Sequence, residues 1–293
     1  VFMSMPAKFR KKQRTAWSDP NRQGAEVECF LEGPSFDREG NLWFVDIPFG
    51  RIFRITPKKD WELVTQYDGW PNGLKIHKDG RIFLTDYKRG IMLLDPATGK
   101  VTALVDHRGS ESFKGVNDLF FAANGDLYFT DQGQTGLQDP TGRVYRLRAD
   151  GTLNCLIRNI PSPNGIALDR EERNLYVNVT RANQVWRLPL LSSGEVTKVG
   201  IFLQLSGGTG GPDGLAVDET GGLTVAHAGF GCVWMFDKFG EPLYRIKSCA
   251  GHATTNIAFG SADRKTLYIT ESSSGQILMA KVPVAGGVLY SHQ

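Results

Sequence analysis

The chain has 293 residues, of which 41% are hydrophobic and 22% are charged, and its formal net charge at pH 7 is +3. This length and composition are sufficient for a large buried core. Five basic side chains stand in the segment KFRKKQR at positions 8–14. The rest of the chain is therefore nearly neutral and lacks the basic face that nucleic-acid binding requires.

Three absences bear on the cellular compartment. No apolar run reaches the ~18 residues that a membrane-spanning helix needs, and the N-terminus lacks the apolar core of a secretory signal. The four cysteines show no CxxC spacing and do not form a disulfide framework. We therefore expect a cytoplasmic protein with free thiols and no membrane partner, while its oligomeric state stays open.

In chain order, the sequence predicts an N-terminal basic arm over residues 1–24 and one domain over residues 25–293. The domain contains a unit repeated six times at spacings of 40 to 49 residues. Each unit has a polar residue, a short apolar strand, a polar turn and a second apolar strand, which is the pattern of a β-hairpin. The units are EGPSFDREGNLWFVD (32–46), NGLKIHKDGRIFLTD (72–86), NDLFFAANGDLYFTD (117–131), NGIALDREERNLYVNV (164–179), DGLAVDETGGLTVAH (213–227) and TNIAFGSADRKTLYITE (255–271).

Further strands follow most of these hairpins. Third strands are predicted at 50–55, 90–95, 142–147, 183–188, 231–236 and 275–280, and outer fourth strands at 62–67, 101–106, 153–158, 198–205 and 242–247. No long stretch free of Gly and Pro keeps apolar residues at helical spacing. The sequence thus predicts an all-β, six-bladed β-propeller with four-stranded antiparallel blades around a central channel. The alternative is another repetitive all-β arrangement, such as stacked sandwiches.

The first residue of each unit carries the chemistry, because a propeller brings one such residue from each blade to its axis. We call these six the axial residues: Glu32, Asn72, Asn117, Asn164, Asp213 and Thr255. All of them offer oxygen, which suits a hard divalent cation, Ca²⁺ first and Mg²⁺ or Mn²⁺ next. Zn²⁺ is less favoured because the five histidines show no paired spacing. A cation would also offset the repulsion between Glu32 and Asp213.

Alternatives remain for individual positions. Asn, Asp and Gly are common turn formers, so Asn72 is as well explained by a turn between blades. The last residues of the second strands form another polar set that either lines the channel or bonds to a neighbouring blade. They are Asp46, Asp86, Asp131, Val179, His227 and Glu271.

Other catalytic motifs are missing. The sequence contains neither a GxSxG elbow nor a GxxxxGK[ST] loop, and the glycine cluster at 207–211 lacks GxGxxG spacing. A serine hydrolase or a nucleotide-binding enzyme is therefore disfavoured.

Five short motifs occur in an order and spacing that resemble the SMP-30/gluconolactonase/luciferin-regenerating-enzyme family. They are EGP (32–34), GVND (115–118), SPNGIALD (162–169), GPDGLAVD (211–218) and TLYITES (266–272). The resemblance covers roughly residues 25 to 283. It implies a six-bladed propeller with a divalent cation, usually calcium, and an activity on lactones or, in some branches, organophosphates.

The resemblance also implies residue roles. Glu32, Asn164 and Asp213 match the family's metal ligands, and Asn117 matches a residue that contacts metal or substrate. Sugar lactonases of the family tend to carry Arg where this chain has Gly115. That departure favours a less polar, non-sugar lactone.

We therefore expect a metal-dependent lactonase acting on a small-molecule lactone, with Asp213 as the general base or, less simply, the nucleophile. The expected substrate contacts are Asn117, Asn72, His227, His252 and Asp131. A phosphotriesterase on the same metal site and a binding module without chemistry are the alternatives.

Overall fold

The computed structural model describes residues 1–293, and it confirms the predicted six-bladed β-propeller. Helices are short: one α-helix covers Ser18–Arg22, and 3₁₀ turns cover Ala7–Phe9, Ile47–Phe49, Thr180–Ala182 and Tyr290–His292. None of these helices could span a bilayer.

Each blade is a four-stranded antiparallel sheet, and a small hairpin, His107–Arg108 with Glu111–Ser112, stands apart from the blades. From the axis outward, the blades contain Leu31–Phe36, Leu42–Asp46, Arg51–Ile55 and Trp61–Gln66; Pro71–Ile76, Ile82–Asp86, Gly90–Leu94 and Val101–Val105; Val116–Phe121, Leu127–Asp131, Gly142–Leu147 and Leu153–Ile160; Pro163–Leu168, Asn174–Val179, Gln184–Pro189 and Gly200–Gln204; Gly211–Val217, Leu223–Ala228, Cys232–Phe236 and Pro242–Lys247; and Thr254–Gly260, Thr266–Glu271, Gln276–Lys281 and Met3–Ser4.

The outer strand of the sixth blade comes from the other end of the chain. Met3 and Ser4 pair with Ile277 and Gln276, so the first residues close the ring of blades. The sequence pattern showed outer strands in five units only, and this exchange explains the missing one. The N-terminal residues are thus part of the propeller at their beginning, while a boundary after residue 24 stays a prediction.

Two arginines hold the rest of the N-terminal segment against the blades. Arg51 is buried, pairs with the Asp46 carboxylate, and donates to the carbonyl oxygens of Phe9 at 2.7 Å and Glu28 at 3.2 Å. Arg10 pairs with Glu28 at 3.0 Å. The segment therefore has a fixed course over the surface.

The hydrophobic core lies between the faces of neighbouring blades. Six clusters of buried apolar side chains alternate with the six blades, each joining one blade to the next. One cluster joins the first blade to the sixth and includes Met5 beside Leu31 and Ile277. Burial of apolar area at about 25 cal/mol per Å² favours this closed ring, since an open end would expose one such face.

Every inner strand has a β-bulge at its axial residue. The register with the second strand shifts between Glu32 and Ser35 in the first blade, and at the equivalent place in the other five. A bulge locally turns the strand and redirects a side chain. The bulge interrupts the regular alternation of side chains between the two faces of the sheet, which explains why the axial side chains reach the channel.

The residue after the axial residue is glycine in four blades, because neighbouring inner strands approach closely there. A Cβ on Gly165 would lie 2.2 Å from the carbonyl oxygen of Asp213, and one on Gly33 would lie 2.7 Å from that of Asn72. In the third and sixth blades this position is occupied by Asp118 and Asn256.

The buried pair of Arg51 and Asp46 provides a test of how the N-terminal segment is held. We expect Arg51→Met to lower the free energy of unfolding by about 3–5 kcal/mol, because it leaves a buried carboxylate without its cation. The control is Arg54→Met, because Arg54 lies on the same strand but both it and its partner Glu62 are partly exposed to solvent. That change should cost ~1 kcal/mol or less in chemical denaturation. Equal costs for the two variants would contradict this account.

Candidate active site

All six axial residues line one cavity of about 770 Å³ at a mouth of the channel. The rim is formed by the helix Ser18–Arg22 and by loops that precede and follow the strands. The remaining lining is mostly polar and includes Gln132, Arg181 and His252. The fold therefore gathers the first residues of the six inner strands around one space, as the sequence predicts, while their roles in a site stay predictions.

Of the five predicted substrate contacts, three line this cavity: Asn72, Asn117 and His252. Asp131 and His227 do not, although both are fully buried. The Asp131 carboxylate accepts a hydrogen bond from the Gly115 amide at 2.8 Å. His227 Nδ1 accepts from the Trp234 indole at 3.2 Å. These hydrogen bonds indicate structural roles, but Asp131 Oδ2 and His227 Nε2 are buried without a partner, so contact of these two residues with a substrate stays a prediction.

The hydrogen bond from Gly115 to Asp131 has equivalents in three other blades. In four blades, the acidic residue that ends the second strand accepts a hydrogen bond from the main-chain amide two residues before the axial residue. The pairs are Asp46 with Phe30, Asp86 with Trp70, Asp131 with Gly115, and Glu271 with Ala253, at 2.6, 3.1, 2.8 and 2.7 Å. Four of the six residues that end the second strands thus fix the main chain that leads into the site, and one of them, Glu271, also lines the cavity.

Thr255 is the axial residue whose oxygen is already used. Its hydroxyl contacts the Leu31 carbonyl at 3.3 Å and the Thr270 hydroxyl at 3.0 Å. It therefore links the sixth blade to the first and is a poor candidate for a metal ligand.

Unlike the Thr255 hydroxyl, the side-chain oxygens of Asn117 and Asn164 are not used in hydrogen bonds within the protein. Asn117 donates its Nδ2 to Gln132 Oε1 at 2.8 Å, and Gln132 in turn donates to Ser162 Oγ at 3.0 Å. This leaves the amide oxygen of Asn117 free to face the cavity. The Oδ1 of Asn164 is buried without a hydrogen-bond partner, which is costly unless something binds it.

Two site residues were missed by the sequence analysis, Asp118 and Asn256. Both are buried, and both stand one position after an axial residue, where the other blades have glycine. Asn256 Nδ2 donates to Glu32 Oε2 at 2.9 Å, and the Gly33 amide donates to the same oxygen at 2.8 Å. The replacement of glycine by Asp or Asn in two units was the available signal.

Three carboxylates share this poorly solvated part of the channel. Burial raises the pKa of Glu32 to about 7, against hydrogen bonds from Gly33 and Asn256, and repulsion from Asp118 adds to the rise. Burial also raises the pKa of Asp213 well above its usual range, followed by repulsion from Glu32 and Asp118. Burial raises the pKa of Asp118 as well, and Lys75 opposes that rise. The hydrogen bonds within the site are therefore too few to stabilise the negative charge of all three carboxylates.

These donors fit a hard divalent cation. No group of three His, Cys, Asp and Glu side chains is arranged to hold a metal, so an ion would take carboxamide oxygen beside carboxylate oxygen. The unpartnered Oδ1 of Asn164 and the repelling pair of Glu32 and Asp213 supply such a set. Mixed carboxylate and amide oxygens match Ca²⁺ and disfavour Zn²⁺.

Gly115 has a physical reason to lack a side chain. A Cβ there would lie 2.5 Å from the ring of Tyr87, and its φ of 149° also suits glycine. Tyr87 lines the cavity, so its ring occupies the place from which an arginine at 115 would reach the site.

Comparison with known proteins gives a consistent result. A family model described as "SMP-30/Gluconolactonase/LRE-like region" matches residues 30–273. "Lactonase drp35" of Staphylococcus saprophyticus is 34% identical over 242 residues, covering 78% of this chain and 72% of that protein. "Gluconolactonase" of Zymomonas mobilis is 32% identical over 272 residues, covering 82% and 76%. The crystal structure of regucalcin from Agrobacterium tumefaciens shares the fold, with a TM-score of 0.77, 24% identity and coverage of 90% and 94%.

The buried charge of Glu32 makes a prediction for the metal-free protein. Its pKa in the folded state, about 7, exceeds its ordinary value of 4.5. The stability that comes from the protonated form is therefore complete below pH ~4.5 and is lost as the pH rises toward 7. In chelator at pH 8, we expect Glu32→Gln to raise the free energy of unfolding by ~3 kcal/mol, and to have little effect at pH 4.5.

Urea denaturation at the two pH values measures this difference, with the exposed Glu39→Gln as the matched control. A Glu32→Gln variant that is less stable than the parent at pH 8 would show that the carboxylate is better accommodated than its burial indicates.

Proposed function

The chain belongs to the SMP-30/gluconolactonase/LRE-like family, and from this premise we propose that it is a metal-dependent hydrolase that opens a lactone ring. The observation that carries the proposal is the convergence of Glu32, Asn164 and Asp213 on one buried, oxygen-lined cavity. This chain matches 72% and 76% of the length of two relatives that are named for lactone hydrolysis.

We assign the cation to Glu32, Asn164 and Asp213, with Asn117 as a fourth ligand or a substrate contact. Calcium is the first choice, because the set mixes carboxylate and amide oxygens. The regucalcin that shares the fold is itself described as a calcium-binding protein. When bound, such a cation polarises a carbonyl group and stabilises the negative charge of the tetrahedral intermediate.

In this mechanism Asp213 is the general base. It takes a proton from the attacking water as the water oxygen bonds to the acyl carbon. The bond from that carbon to the ring oxygen then breaks, and the ring oxygen leaves as a hydroxyl because it takes back the proton that Asp213 removed from the water, which regenerates the base. Asn117 and Asn72, which face the cavity, orient the ring. The exposed His252 at the rim can exchange protons with solvent.

The substrate we propose is a non-sugar lactone. The support is local, because the Tyr87 ring covers Gly115 and removes the place for the arginine that sugar lactonases tend to carry. The expectation of a less polar substrate has no such support, since most side chains around the cavity are polar.

Replacement of the base tests the chemistry. We expect Asp213→Asn to lower kcat by at least ~100-fold, the usual contribution of a positioned base, while the far-UV circular dichroism stays that of the parent. Initial rates on aliphatic, aromatic and sugar lactones and on one phosphotriester measure this. Asp150→Asn, at an exposed turn of the third blade, is the control. Full lactonase activity in Asp213→Asn would remove this residue from the mechanism.

Metal binding is tested separately from turnover. Calcium added to chelator-treated protein at 100 times its Kd should stabilise the fold by ~2.7 kcal/mol and raise Tm in calorimetry. Glu32→Gln should abolish most of this gain, because it removes one carboxylate ligand. A cation-induced rise in Tm without turnover on any substrate would favour a binding module, and no rise with Ca²⁺, Mg²⁺ or Mn²⁺ would overturn the metal assignment.

A further inference from the structure

Two arginines stand at the rim of the cavity, and the mechanism above does not use them. Arg22 ends the helix Ser18–Arg22, and Arg181 lies in the turn Thr180–Ala182 that follows the second strand of the fourth blade. Both line the cavity that contains Asp213. Neither forms an ion pair with a carboxylate.

The Arg22 side chain has defined neighbours although it is exposed. Its guanidinium lies 4.7 Å from the centre of the Phe30 ring, and its Nη2 is 3.5 Å from Ser273 Oγ. The buried Trp17, which starts this helix, packs on the other part of Phe30 with ring centres 4.8 Å apart. Asn21 Nδ2 donates to the Trp17 carbonyl at 2.8 Å. These contacts hold both the helix and the Arg22 side chain at the rim of the cavity.

The two guanidinium groups affect each other and the site below. The Arg22 side chain is exposed to solvent, but the protein around the mouth of the cavity still removes part of its hydration, and this loss lowers its pKa first; repulsion from Arg181 lowers it further, while Asp213 and Glu271 attract its charge. Arg181 in turn lowers the pKa of Asp213. A divalent cation held by Glu32 and Asp213 would offset these two carboxylates and leave Glu271 as the carboxylate that attracts Arg22, so the two arginines that line the same cavity would carry more positive charge than the carboxylates near them balance. Such a pair is stabilised by an anion placed between its members.

Extending the lactone-hydrolase function proposed above, we propose that Arg22 and Arg181 bind a carboxylate substituent of the substrate, so that the enzyme acts on an anionic lactone. Guanidinium is suited to this task because its planar fork matches the two oxygens of a carboxylate. The cation at the bottom of the cavity would then bind the reacting carbonyl of the substrate. The arginines at the rim would bind its carboxylate. Binding at two places orients the ring for attack.

This assignment also explains how the site can lack an arginine at position 115. There the Tyr87 ring fills the space, and positive charge is delivered instead from the N-terminal helix and from the fourth blade. In this chain the N-terminal helix and the fourth blade would determine substrate specificity, whereas in relatives with an arginine at position 115 the third blade would do so.

The first experiment compares two lactones that differ only in charge, 5-oxotetrahydrofuran-2-carboxylate and 5-oxotetrahydrofuran-2-carboxamide. We expect the parent to prefer the carboxylate by ~100-fold in kcat/KM, with a contribution of about tenfold from each of the two arginines. Arg22→Gln and Arg181→Gln should each reduce that ratio about tenfold, mainly through KM, and the double variant should bring it near one. Arg22→Lys should restore part of the preference, and added salt should weaken it.

Arg158→Gln is the matched control. Arg158 is exposed on the outer strand of the third blade, away from the cavity, so its removal should leave the ratio unchanged. A ratio that falls equally in Arg158→Gln would indicate long-range attraction by the whole surface and would overturn the assignment to the two rim arginines.

The second experiment does not depend on turnover. Calorimetry with calcium present measures binding of tetrahydrofuran-2-carboxylate and tetrahydrofuran-2-carboxamide, which lack the reacting carbonyl. Carboxylate binding that is lost in the double variant supports the proposal. Carboxylate binding that survives in the double variant overturns it, because the anion is then held by the cation alone.

Together the two experiments separate this proposal from the function on which it rests. Lactone hydrolysis without a preference for the carboxylate would reject the anion site and keep the hydrolase. Arginine-dependent binding of the carboxylate without hydrolysis of either lactone would keep the anion site and reject the hydrolase.

Discussion

A chain of hydrogen bonds from blade to blade is the constraint on which the site depends. In the second, third and fourth blades, the residue before the end of the second strand donates to the main-chain carbonyl of the axial residue in the next blade. Thr130 Oγ1 donates to Asn164 at 2.7 Å, Asn178 Nδ2 donates to Asp213 at 2.6 Å, and Thr85 bonds in the same way to Asn117. Each bond contributes only about 1 kcal/mol on average. Their common effect is geometric, because they set the position of one blade's functional residue from the neighbouring blade.

This arrangement concentrates negative charge that the fold alone does not neutralise. Glu32, Asp118 and Asp213 are all buried, and burial is the first cause of the raised pKa of each of them. Without a cation, the propeller supports this charge at a cost to its own stability. Sites that trade stability for function in this way are common, since selection acts on activity as long as the fold remains above its threshold of stability. Binding of a cation would repay that cost and couple the state of the site to the stability of the ring.

The N-terminal segment connects closure of the propeller with the surface of the site. Its first residues complete the sixth blade through Met3 and Ser4, Arg51 holds its middle, and its helix brings Arg22 to the rim of the cavity. One continuous stretch thus closes the ring, covers part of the mouth and supplies one of the charges there. A loss of order in this stretch would open the sixth blade and change the rim of the cavity at the same time.

The sequence by itself determined the fold and the identity of the six axial residues, because alternating strands and recurring polar turns are local signals that repeat with the blades. It also indicated oxygen ligands, since Glu32, Asn164 and Asp213 are visible as residue types in equivalent units. It could not show that Asp131 and His227 accept main-chain and indole hydrogen bonds, that Asp118 and Asn256 interact with Glu32, or that Arg22 lines the cavity. Those outcomes depend on contacts between blades and with the N-terminal segment, which join residues far apart in the chain. Only the tertiary structure decided them, because the bulge at each axial residue and the packing of the neighbouring blade determine which side chains reach the channel.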